Sequence, residues 1–109
     1  MNKLTGLLGL SRRTGHAACG FDAAAELLRS GRAKLVLTAS DLSEKTEKEL
    51  RFAGRDKPAE IVRIPLDKDA MGAALGLHRP VGVFATDDRG FAAAMQKHIR
   101  HDLEEDETI

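Results

Sequence analysis

Five residues in the first half of the chain, Leu35-Val36-Leu37-Thr38-Ala39, form a nearly continuous apolar run of strand length. A strand with one wet face alternates apolar and polar residues. An unbroken run suits a strand covered on both faces. Such a strand needs a helical layer on each side, and the flanking sequence supplies them.

Residues 3–14 read as a helix with Leu4, Leu7, Leu8 and Ser11 on one face, stopped by Gly15. His16 to Cys19 reads as a short edge strand. Gly20 opens a second helix that buries Phe21, Ala24, Ala25 and Leu28, with Gly31 placed as a C′ glycine. After the central run, Asp41 or Ser43 can cap a helix whose face is Leu42, Thr46, Leu50 and Ala53. Gly54 and Pro58 end that helix between residues 53 and 57. Ile61, Val62 and Ile64 form a strand ended by Pro65. Asp67 can cap a short helix that buries Ala70, Met71, Ala74 and Leu75. A loop from Gly76 to Pro80 leads into a strand with Val81, Val83, Phe84 and Ala85. Thr86, Asp87 or Asp88 can cap a last helix striped by Phe91, Met95 and Ile99. This alternation predicts an α/β fold, a three-layer α/β/α sandwich around one sheet. One domain is expected over residues 1–101, followed by an acidic, flexible tail over 102–109.

A chain of 109 residues suits one domain with a real core. Its single cysteine, Cys19, excludes an internal disulfide framework and a zinc finger, and reads as a small apolar residue in a reducing compartment. No apolar run approaches the roughly 18 residues needed to span a bilayer. Arg12 and Arg13 follow the first apolar segment, the wrong order for a signal peptide. A soluble, cytoplasmic protein without a membrane partner is expected. The formal net charge of zero hides an asymmetry. Residues 1–101 carry 17 basic and 12 acidic side chains, and residues 102–109 carry five acidic ones and no basic one. A basic body favours a polyanionic partner.

Catalytic patterns are missing. The glycines match neither the phosphate-loop nor the dinucleotide spacing. His98 and His101 share a helix but have no further ligands with metal spacing. Asp87 and Asp88 precede a helix and read as caps. Cys19 beside His16 could pair a nucleophile with a base, but its Ala-Ala-Cys-Gly context reads as core. No enzyme activity, metal, cofactor or small-molecule substrate is expected.

Several blocks carry a family likeness: Leu7-Leu8-Gly9-Leu10, Arg13-Thr14-Gly15, Gly20, and Ala33 to Asp41 with Ser43, Thr46 and Lys48. Met71-Gly72-Ala73-Ala74-Leu75-Gly76, the strand into Thr86-Asp87, and Gly90-Phe91-Ala92 complete the pattern. In this order and spacing they resemble the ribosomal L-seven-Ae proteins, which bind kink-turn RNA, and within them the small bacterial YlxQ-like branch. The likeness spans residues 3 to about 99. It implies a four-stranded mixed sheet of the ribosomal L-thirty-e type, no catalysis and no cofactor. It also implies structured, ribosomal RNA as partner, with other translation proteins possible.

In kink-turn binders a helix N-terminus with the pattern Gly-x-Asn-Glu-x-x-Lys approaches tandem sheared G·A pairs. Free N–H groups and the helix dipole favour phosphate there. Here Gly20 matches the glycine, Asp22 stands for Asn, Ala23 for Glu and Glu26 for Lys. An aspartate accepts but does not donate, and Glu26 repels phosphate. In the second contact loop of the family, Leu77 is placed to pack on a splayed base and His78 and Arg79 to stack or bind phosphate. Arg12, Arg13 and Lys34 are expected on the same face. The RNA site implied by the resemblance is thus Arg12, Arg13, Gly20, Asp22, Lys34, Leu77, His78 and Arg79. The absence of Tyr and Trp argues against a platform for stacking a single strand. The departures at Ala23 and Glu26 motivate a rival reading, a protein–protein interaction module on the same fold that has lost kink-turn recognition.

Overall fold

The apolar blocks fold in the expected order: α1 (Lys3–Arg13), β1 (Ala18–Cys19), α2 (Phe21–Arg29), β2 (Leu35–Thr38), α3 (Glu44–Ala53), β3 (Glu60–Arg63), α4 (Lys68–Ala74), β4 (Val83–Thr86) and α5 (Arg89–Glu107). This is seen in a computed structural model that describes residues 3–107. The four strands form one sheet in the order β1-β4-β2-β3. β2 runs parallel to β3 and antiparallel to β4, and β4 is antiparallel to β1. The sheet is therefore mixed, and the fold is the three-layer sandwich.

The central run is covered on both faces, as its pattern requires. All four residues of β2 and all four of β4 are buried. Leu35, Leu37 and Phe84 face a core completed by Leu4, Leu8, Met71, Leu75 and Met95 from α1, α4 and α5. Val36, Val83 and Ala85 face a second core completed by Ala24, Leu27, Leu28 and Leu50 from α2 and α3. The strand period of two thus sends neighbouring residues into different layers.

Local chemistry sets the helix ends. Ser43 takes the α3 N-cap, its hydroxyl accepting from Thr46 N–H at 3.2 Å. Asp41, the other candidate, instead accepts from the Lys68 amide at 3.0 Å. Asp67 caps α4 through Ala70 N–H, and Asp88 accepts from Phe91 N–H in the first turn of α5, both at 2.8 Å. Gly31 has φ 78° just past α2, the left-handed stop expected of it.

Several boundaries differ from the sequence reading: β4 starts at Val83 rather than Val81, and β3 ends at Arg63 rather than Ile64. β1 is shorter, because the His16 amide bonds to the Ser11 carbonyl at 2.8 Å and its ring pairs with Asp87. α5 continues helically through Glu107, into the acidic segment expected to be a flexible tail. No glycine or proline interrupts the sequence between Phe91 and Glu107. Thr108 and Ile109 lie outside the described residues.

Candidate nucleic-acid interface

The N-terminus of α2 sits at one end of the sheet. Gly20 is its N-cap with φ 97°, a conformation that strains any L residue, and no side chain caps the helix. Its amide donates to the Val83 carbonyl at 2.8 Å, tying α2 to the start of β4. By contrast Ser43, Asp67 and Asp88 put a side-chain oxygen on the first-turn amides of α3, α4 and α5. The first-turn amides of α2 therefore have no side-chain acceptor of their own, which is the state that suits an incoming anion.

Two arginines converge here from different elements. Arg12, near the end of α1, reaches the Leu75 carbonyl at the end of α4 at 3.5 Å. Arg79 comes from the α4–β4 loop. Both guanidinium groups act on Cys19, the residue before Gly20. Burial pushes its thiol pKa up, and the two arginines pull it part of the way back. Among the described residues, Arg12, Arg13 and Arg79 form no ion pair, whereas Arg29, Arg51, Arg55 and Arg63 each lie within 4 Å of a carboxylate. Arg12 and Arg79 thus carry guanidinium groups without a carboxylate partner, and both act on the residue that precedes the α2 N-cap.

The loop that carries Arg79 is fixed by a close backbone contact. A Cβ on Gly72 of α4 would lie 1.9 Å from the Arg79 carbonyl oxygen, so only glycine fits. The Leu77 amide donates to the Gly72 carbonyl at 2.9 Å, and the Val81 amide to the Lys68 carbonyl at 3.0 Å.

The structure sorts the residues assigned from sequence. Gly20, Asp22, Arg12 and Arg79 belong to this end, with Asp22 exposed in the first turn of α2. His78 is exposed on the same loop. Leu77 is half-buried against the α1/α4/α5 core, so it anchors the loop rather than standing free to meet a base. Arg13 turns back along its own helix, one guanidinium nitrogen 3.2 Å from where a Cβ on Gly9 would be. Lys34 does not join the face. Its amide donates to the Thr86 carbonyl, at the far end of β4 from Val83. Three residues of strand put about 10 Å between those ends. That placement depends on strand register, which the local sequence does not express.

Lys68 was missed. Its side chain lies 3.5 Å from where a Cβ on Gly82 would sit, just before β4. Its only sequence signal was its place after the Asp67 cap. Thr38, the last residue of β2, buries its hydroxyl at this end with no hydrogen-bond partner among the described residues. No group of three or more metal-ligating side chains occurs among the described residues, and none of their helices is long and apolar enough to cross a membrane.

Comparison with known proteins agrees with this architecture. A protein of unknown function from Bacillus halodurans superposes with a TM-score of 0.82 at 25% identity, over 92% of this chain and 99% of that one. A 15.5 kD RNA-binding protein of Giardia lamblia superposes with a TM-score of 0.72 at 23% identity, over 90% of this chain and 85% of the other. No curated protein matches the sequence. Residues 2–96 match the sequence pattern of the Ribosomal protein L7Ae/L30e/S12e/Gadd45 family, and the chain belongs to that family.

Proposed function

We propose that this protein binds structured, kink-turn-like RNA without catalysis, as a cytoplasmic component of the translation apparatus. The observation that carries the reading is the N-terminus of α2, which no side chain caps, next to Cys19, on which the guanidinium groups of Arg12 and Arg79 both act. Phosphate would be held by the first-turn amides of α2 and by the two arginines. His78 and Lys68 extend the contact, and Gly20 lets the backbone approach closely. Family membership and the fold shared with an RNA-binding protein of Giardia lamblia support RNA as the ligand class. Asp22, Ala23 and Glu26 replace the side chains with which kink-turn binders read sheared G·A pairs. Recognition here therefore leans on phosphate and shape more than on base edges.

The test is a titration of the purified protein with a kink-turn hairpin at two salt concentrations. A control hairpin has its G·A pairs replaced by Watson–Crick pairs. Binding that weakens steeply with salt and favours the kink-turn is expected. Equal binding to both hairpins would mean phosphate contact without kink-turn recognition. Binding to neither would leave the protein-interaction module as the better account.

A further inference from the structure

The other end of α2 carries a different kind of surface. Phe52, in the last turn of α3, is 65% exposed. Among the chain's four phenylalanines it is the exposed one: Phe84 is fully buried, and Phe21 and Phe91 pack against the two cores. Phe52 lies off the buried face of α3, so the helix turns this ring to water. Yet the ring is held in place. The Arg55 guanidinium lies over it, 4.0 Å from the ring centroid, and is fixed there by a 2.8 Å hydrogen bond from Arg55 Nη1 to the Phe52 carbonyl. Phe52 keeps this exposure with that guanidinium in place, so part of the side chain stays open to a ligand.

Beside the ring is a cleft of about 400 Å³ bounded by Arg29, Glu49, Phe52, Arg55, Asp56 and Lys57. That size falls in the range of small-molecule sites. The lining carries three cations and two carboxylates. Arg29 and Arg55 pair with Glu26 and Asp56 only loosely, at 3.8 and 3.9 Å, in solvent. Lys57 forms no ion pair among the described residues and extends its amine towards Gly31, just past the end of α2. An aromatic ring stacked with a guanidinium, next to a cleft with a cationic excess, matches a nucleotide: a base to stack and a phosphate to pair.

We propose that this cleft binds one unpaired nucleotide of an RNA strand, the base stacking at Phe52 and Arg55 and the phosphate lying near Lys57 and Arg29. A single ring is no platform for successive bases, but one base needs only one. The proposal rests on the RNA-binding reading and adds a second contact, roughly the length of α2 from the first. Nine helical residues span about 13 Å, within reach of a short single-stranded extension of the same RNA.

The test uses the full chain and an adenine hexaribonucleotide with 2-aminopurine at one position, whose fluorescence falls on stacking. Binding with quenching is expected. Phe52→Leu keeps an apolar side chain but removes the stacking face, and should weaken hexamer binding at least about fivefold. The same variant should melt like wild type and bind the kink-turn hairpin like wild type. A hexamer that does not bind, or that binds Phe52→Leu as well as wild type, overturns the proposal. So does self-association of the wild-type chain that Phe52→Leu abolishes without hexamer binding, which would put a second copy on the ring. Failure of the hairpin with a quenched, Phe52-dependent hexamer would sink the kink-turn reading and leave this site standing.

Discussion

The two ends of α2 differ in how their charges are held. At the N-terminal end the helix has a glycine cap, no side-chain acceptor, and arginines from two other elements without carboxylate partners. At the C-terminal end Arg29 and Arg55 each have a neighbouring acid, Lys57 forms no ion pair among the described residues, and the distinguishing feature is an exposed ring. On the proposed function the first end takes phosphate, whose binding falls steeply with salt. The second is built for stacking, whose dependence on salt is shallower. One short helix thus separates two surfaces that a charge count alone would merge into one basic body.

The largest way to break this difference is through Gly72. Gly72→Ala would force a Cβ into the Arg79 carbonyl and move the loop. A loss of about 1–3 kcal/mol is expected in urea denaturation. Hairpin binding should fall with it while the Phe52 cleft is spared. Arg79→Ala is gentler. It should leave stability within about 0.5 kcal/mol, as for most surface changes. It should reduce the slope of log K against log salt by about 1 for the hairpin. An unchanged slope would remove Arg79 from the phosphate site. The same variant should slow the reaction of Cys19 with a thiol reagent. Without Arg79 the thiol loses a group that pulls its pKa down, and burial raises it unopposed on that side.

Thr38→Val replaces an unpartnered buried hydroxyl with a methyl of similar shape. Stability should rise by about 1 kcal/mol, read as a higher melting midpoint. A fall would mean that the hydroxyl has a partner in solution. The smallest effect concerns Glu47, whose pKa is lowered chiefly by its hydrogen bond from Arg63, with burial opposing and Arg51 assisting. A lowered carboxylate pKa stabilises the fold above the ordinary carboxylate range and loses that effect as pH falls through the lowered value. Because the pair is partly solvent-exposed, Glu47→Gln should cost under about 1 kcal/mol at neutral pH, and that cost should shrink as pH falls through the lowered value. Denaturant melts across the acid range check the sign.

The fold was largely legible because its signals are local. The unbroken run of β2 demanded two helical layers, and Asp67 and Gly31 marked helix ends that need no tertiary information. The site was less legible because it is assembled across the chain. Arg12 and Arg79 are 67 positions apart and act on one residue, Cys19, only through the packing of α1 against α4. Lys34 was assigned to the wrong end because the register of β2 against β4 decides its place. Leu77 looked free because nothing nearby in sequence shows that it packs into the core. Phe52, by contrast, was readable in part: it falls off the Leu42, Thr46, Leu50 and Ala53 stripe, the position of a residue turned to solvent.

The most direct test of the phosphate-binding end is a map of backbone amide shifts in labelled protein as a kink-turn hairpin without single-stranded extensions is added. The account predicts that the amides of Phe21, Asp22 and Ala23 and those of the loop from Gly76 to Arg79 and of Val81 and Gly82 move first and furthest, while the end of α3 stays still. Shifts confined to α3, or none at the start of α2, would contradict it.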